Sequence, residues 1–150
     1  MTPDPALWPA LAVAGLGAGL DVRNRRLPNW LCALLAVAAA GGLVAVQGAA
    51  VAPSALLHAA LALLVGMVLF RLGAVGGGDA KFYAAAALAL PLGQALFLLG
   101  WTSAVGLALL LVMAIARLFR PASRGTSLLR GWSVPYGVAI FGGLALTLTV

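Results

Sequence analysis

The chain has 150 residues, 64% of them hydrophobic and only 8% charged, with a mean hydropathy of +1.13. This composition excludes an ordinary soluble domain and fits a chain solvated by lipid, organised as a single domain over residues 1–150. A formal charge of +6 would suggest nucleic acid in a soluble protein, but the nine Lys and Arg sit in short breaks between apolar runs. There they orient a membrane chain, so no nucleic-acid partner is expected.

Met1 to Trp8 carries Asp4 and no Lys or Arg, the opposite of the basic start of a secretory signal. The first apolar stretch, about Leu7 to Leu20, is therefore expected to be a retained membrane helix. Its Gly15, Gly17 and Gly19 allow a neighbouring helix to approach closely. The break that follows reads Asp21-Val22-Arg23-Asn24-Arg25-Arg26-Leu27-Pro28-Asn29. Pro28 biases Leu27 away from helix and marks a turn, after which Asn29 caps the next helix or orients a site residue, capping being the commoner role. The second stretch, Trp30 to Val46, holds Cys32, the only cysteine, which excludes an intrachain disulfide and a cysteine-clustered zinc site.

The third stretch, Ser54 to Phe70, holds the only histidine, His58. With no second His and no Glu, no metal is expected, and packing or a local hydrogen bond is the favoured role. The fourth, Asp79 to Leu90, follows Gly76-Gly77-Gly78, whose glycines permit backbone conformations and close approaches that other residues block, so that a peptide can lie against them. The Walker spacing is missing, which argues against a phosphate cradle, and no cofactor is expected. The fifth stretch is Ala95 to Phe119 and the sixth Ser133 to Val150. Pro135 and Tyr136 open the sixth, either as a kink beside a site or, more commonly, as a helix-start proline with an interfacial aromatic.

These stretches predict an all-α membrane protein, a polytopic bundle of about six transmembrane helices. The first and fourth, at 14 and 12 residues, fall short of the ~20 needed to cross ~30 Å of hydrocarbon, and a partly re-entrant fourth segment is compatible with that length. With six spans the loops alternate sides. Arg23, Arg25 and Arg26, then Arg71 and Lys81, then Arg117, Arg120, Arg124 and Arg130 all fall on one side, whereas Gln47 to Pro53 and Pro91 to Gln94 carry no charge. The positive-inside rule makes that side cytoplasmic and leaves both termini outside. Trp30 and Trp132 at cytoplasmic helix starts, and Trp8 at an outer end, suit interfacial anchors.

Of the three carboxylates, Asp4 lies on the outer side, while Asp21 and Asp79 both lie at the cytoplasmic edge. Taken singly, Asp21 is explained as a juxtamembrane residue neutralised by Arg23 or Arg25, and Asp79 as a helix cap. Their unusual settings shift the balance toward a catalytic pair. Lys81 either tunes that pair or, more commonly, anchors at lipid headgroups.

Asp21 followed by Arg26-Leu27-Pro28-Asn29 resembles the Asp-then-Ile-Pro-Asn motif of the type IV prepilin peptidases, with Leu27 in place of the usual Ile. Gly76-x-Gly78-Asp79-x-Lys81 resembles their GxGD motif, and Val134-Pro135-Tyr136-Gly137 is similar to the opening of their last span. The three motifs occur in order, each at a helix boundary, and together cover most of the chain. The resemblance implies an intramembrane aspartic endopeptidase of the bacterial inner membrane that removes the basic leader from pilin-like precursors, with Asp21 and Asp79 catalytic. Gly76, Gly78, Lys81, Pro28, Asn29, Pro135, Tyr136 and Gly137 would support the site or the substrate. Bifunctional members that also methylate the new N-terminus insert a cytoplasmic segment near the start of the chain, often with paired cysteines. The first break here is only about eight residues with no cysteine pair, and so resembles the peptidase-only form associated with tight-adherence (Flp) pili.

Two nearby carboxylates share one proton: the ionised member deprotonates water while the protonated member polarises the scissile carbonyl. If Asp79 caps a helix, the helix dipole favours the ionised form there and leaves the shared proton more often on Asp21. A precursor with a cytoplasmic leader and an apolar membrane helix has its cleavage site at the depth of this pair. The nearby Arg residues would repel a basic leader unless anionic headgroups occupy them. Two rivals are a small transporter or channel subunit, whose carboxylates would sit nearer midplane, and an inactive pilus-assembly component, against which the intact aspartates argue.

Overall fold

The computed structural model describes residues 3–25, 27–119 and 135–150. Six α-helices follow one another: α1 (Trp8–Asn24), α2 (Asn29–Gln47), α3 (Ala52–Arg71), α4 (Gly77–Ala87), α5 (Ala95–Leu118) and α6 (Tyr136–Thr149). One-turn 3-10 helices precede α1, α3 and α5, and the described residues contain no strand. The expected all-α class and six helices are thus present. Four segments are long and apolar enough to cross a membrane: Pro5–Asn24, Asn29–Gln47, Ala49–Arg71 and Leu92–Ala116. The protein is therefore a membrane protein by the length and composition of its helices.

The first span is longer than its apolar stretch suggested. Asp4 accepts a hydrogen bond from the Ala6 N–H at 2.9 Å and starts the helical path early, while Arg25, in the left-handed region at φ 52°, ends it. Polarity at Asp21 does not stop the helix; the turn before Pro28 does. Asn29 is the first residue of α2, whose N-cap is Pro28 and receives no side-chain bond. The capping role expected of Asn29 is therefore not the one it has.

The α3–α4 connection is closed by a Schellman arrangement. Gly73, at φ 73°, donates its N–H to Phe70 O, and Ala74 donates to Leu69 O at 2.9 Å. Gly73 is the residue that needs a left-handed conformation. By contrast Gly76, at φ −70° and ψ 141°, is an ordinary N-cap, and Gly77 and Gly78 begin α4. The conformational freedom expected of the triplet is not used; only its lack of side chains is.

The short α4 is covered over most of its surface, Lys81 being exposed and Asp79 and Tyr83 half-buried. Its Ala80, Phe82 and Ala84 to Ala87 are buried, and it packs on α2, α3 and α6. Eleven residues rise only ~16 Å, less than a bilayer core, but a helix mostly covered by others has no need to match lipid thickness. At its far end the His58 Nδ1–H donates to Leu90 O at 3.1 Å and Ser54 Oγ accepts from the Leu92 N–H at 3.0 Å. His58 thus makes the local hydrogen bond expected of it. Helix α1 packs on α2 and α6, and α5 packs on α6. Of the small residues of α1, Gly17 is the close contact, against Phe82 and Leu31; Gly19 faces open space.

The chain direction alternates, so the α1–α2 turn, the α3–α4 turn and the start of α6 share one end. Arg23, Arg25, Arg71 and Lys81 are exposed there. Arg26, Arg120, Arg124, Arg130, Trp132 and Val134 lie outside the described residues. Much of α3 and α5 remains uncovered, with Leu64, Leu96 and Val112 at least 60% exposed, as lipid-facing helices require.

Candidate active site

Asp21 belongs to the inward stripe of α1. Ala10, Val13, Ala14, Gly17, Ala18 and Asp21 recur at helical spacing and are all buried. A carboxylate carried into that interface needs a partner, and the start of α6 supplies one: the Gly137 N–H donates to Asp21 Oδ2 at 2.8 Å, across 116 residues of sequence. Gly137 lies in the first turn of α6, where backbone N–H groups have no partner within the helix, so the carboxylate satisfies a free donor and faces the positive end of the helix dipole. The contact demands glycine. A Cβ at Gly137 would lie 3.0 Å from Asp21 Cβ and 3.1 Å from Oδ2. Neither Arg23 nor Arg25 pairs with Asp21 among the described residues, so the neutralised juxtamembrane role is not what the geometry favours.

Asp79 stands at the third position of α4 and is half-buried. Its carboxylate turns back toward Gly76, the N-cap residue, at the positive end of its own helix. A Cβ at Gly76 would come within 2.5 Å of Asp79 Oδ2, and one at Gly78 would meet Leu27 of the α1–α2 turn at 3.5 Å. The glycines therefore give the carboxylate room and let the two turns touch. Asp79 also lies close enough to Asp21 for their charges to interact. The asymmetry expected from a helix end at Asp79 alone is absent, because each carboxylate faces a helix N-terminus: Asp21 that of α6, Asp79 that of its own α4. Helix dipoles do not decide which one holds a shared proton.

The Lys81 Nζ donates to Asn29 Oδ1 at 3.1 Å. This bond joins the segment after Asp79 to the segment after Pro28, so Lys81 and Asn29 bridge α4 and α2 at the charged end. Pro28 terminates the turn and Pro135 is the N-cap of α6, placing Gly137. Cys32, one turn into α2, is buried within electrostatic reach of Lys81 and Asp79, a neighbour that no motif indicated.

Asp79 opens onto a groove of about 540 Å³ between α3 and α5, floored by α4 and α6. Its walls are mainly Leu, Ala, Val and Gly, with Tyr83, Ser103 and Tyr136 among the polar exceptions and His58 toward the far end. Asp21 does not line it and sits behind Asp79. Tyr136 is thus a groove residue at its mouth, 39% exposed. Tyr83 was not singled out by sequence, although its place one turn after Asp79 puts both on one face of α4. Among the described residues no three His, Cys, Asp or Glu side chains converge as a metal site would need.

A carboxylate pair, one member buried and one facing a groove, is equipped for acid–base work on a water molecule. No curated protein and no solved structure matches the chain. The model of the type IV leader peptidase family matches residues 8–119, a range that includes Asp21, Pro28, Asn29, Gly76, Gly78, Asp79 and Lys81 and stops short of Pro135. That match spans most of the chain, and the protein belongs to the type IV leader peptidase family, a family of aspartic peptidases.

Proposed function

We propose that the protein is an intramembrane aspartic endopeptidase that cuts the basic leader from type IV pilin-like precursors of the tight-adherence (Flp) kind. The observation that carries this reading is that Asp21 of α1 and Asp79 of α4 lie at the same end of the bundle within electrostatic reach of each other, with Asp79 on a lateral groove. In the reaction one carboxylate is ionised and takes a proton from water, while the other, protonated, donates to the scissile carbonyl; the water adds directly and no acyl-enzyme forms. The Gly137 N–H engages Asp21 Oδ2 and fixes the carboxylate plane, leaving Oδ1 for the pair. Gly76, having no side chain, leaves room for the Asp79 carboxylate.

The charged end of the bundle is assigned to the cytoplasm, in the bacterial inner membrane, with both termini outside. This puts the pair at the depth where a precursor passes from its basic leader to its apolar helix, and exposed Arg23, Arg25 and Arg71 hold anionic headgroups rather than the leader. The short α1–α2 connection has no room for a methylating segment, so the chain is peptidase only. A carboxylate pair at one end of the bundle disfavours the transporter reading, which calls for charged groups near midplane. The test is incubation of the purified protein in lipid with a pilin-like precursor. A shortened product with an unmodified new N-terminus, read by mass spectrometry, is expected. An uncut precursor would overturn the peptidase reading, and a methylated terminus would overturn the peptidase-only form.

A further inference from the structure

Hydrolysis at the end of a membrane helix requires the helix to open, since its carbonyls are otherwise engaged by N–H groups four residues on. Opening frees backbone donors and acceptors in apolar surroundings, where unpartnered groups are costly. The groove beside Asp79 is poor in such partners but not devoid of them. The chain has two tyrosines and one histidine, and all three line this one groove. His58 is already committed to Leu90 O, and on α5 Thr102 Oγ1 also lines the groove, buried and without a hydrogen-bond partner among the described residues. Tyr136 is exposed, whereas Tyr83 is half-buried. Tyr83 follows Asp79 by four residues on α4, its ring packs against the buried core, and among the described residues its hydroxyl has no hydrogen-bond partner. A tyrosine hydroxyl set in an apolar wall ordinarily finds one.

We propose that Tyr83 is a substrate-positioning residue whose hydroxyl binds the backbone of the precursor just past the scissile bond and holds it extended across the aspartate pair. This rests on the peptidase reading above. Four residues separate Tyr83 from Asp79, ~6 Å along α4, and an extended chain advances ~3.3 Å per residue. The hydroxyl therefore meets the precursor about one or two residues beyond the bond, on the side that continues into the membrane. The groove runs from Asp79 toward His58, the direction the mature helix of the substrate would take.

The test compares wild type, Tyr83→Phe and Asp79→Asn on two precursors, one native and one with Gly as the second residue past the scissile bond, which lowers its helix propensity. Tyr83→Phe keeps the ring and removes only the hydroxyl. The expected result is a loss of about tenfold in kcat with KM within about twofold on the native precursor, the size of one hydrogen bond made only to opened substrate. On the Gly precursor the deficit should shrink to about twofold or less, which a merely structural role would not produce. Wild-type kcat in Tyr83→Phe, or an equal deficit on both precursors, would overturn the proposal while leaving the peptidase reading intact if Asp79→Asn is inactive. Cleavage by Asp79→Asn at the wild-type rate would overturn both.

Discussion

At the scale of single residues, the site depends on what is left out as much as on what is present. Gly137 brings the first turn of α6 against Asp21, and any side chain there must displace the carboxylate. Gly137→Ala is therefore expected to reduce cleavage by more than about tenfold, because small misplacements of a reacting group are costly, while destabilising the fold by only ~1–3 kcal/mol through overpacking. Cleavage assays beside thermal unfolding check this; full activity in Gly137→Ala would refute the positional role. The Pro-Tyr-Gly resemblance pointed to Gly137, but its role as donor to Asp21 was not legible, because nothing local reveals that α6 starts where α1 ends. The role of Asn29 is hidden in the sequence for a related reason. A residue next to a turn proline has a favourable capping sequence, yet Pro28 itself occupies the cap and frees Asn29 to hold Lys81.

Helix ends, more than helix interiors, set the geometry at the scale of elements. The α3–α4 turn fixes the height of Asp79 through Gly73 in its left-handed conformation, closed by the Gly73 and Ala74 N–H groups on α3 carbonyls. Gly73→Ala is expected to destabilise the protein by ~1 kcal/mol, the cost of a Cβ in that region. Activity should fall with it less steeply than in Gly137→Ala, since Gly73 is open to space and touches neither carboxylate. Chemical or thermal unfolding of the purified protein measures the first quantity and the cleavage rate the second. The existence of six helices was readable from apolar runs, because a bilayer forces the backbone to satisfy itself. Their limits were not. In a chain apolar nearly all round, hydropathy marks neither the continuation of α1 through Asp21 nor the inward face of α4, and Tyr83 lay unnoticed on that face.

For the whole molecule, the arrangement places chemistry at one end and leaves a lateral path to it. Helix α4 is largely buried and, with α6, floors a groove that α3 and α5 flank and that begins at Asp79. If the charged end is cytoplasmic, single cysteines introduced at Arg23 and Arg71 in a Cys32-free background should react with impermeant reagents only from that side, and one at Gly48 only from the other. Labelling of positions 23 and 71 from opposite sides would refute the alternating path. The one-sided positive charge was legible in the sequence, as was the candidacy of Asp21 and Asp79. That they approach each other was a tertiary fact, made by the α1–α6 and α2–α4 contacts.

The central claim is that these two aspartates act together on one peptide bond. Its most direct test is the rate of precursor cleavage by Asp21→Asn and Asp79→Asn, each confirmed folded by its unfolding midpoint. Asn keeps the size and much of the hydrogen bonding of Asp but cannot accept or supply the proton. The account predicts that each variant loses at least about a thousandfold of the wild-type rate, as groups working as a unit do. Cleavage by either variant at the wild-type rate would contradict it.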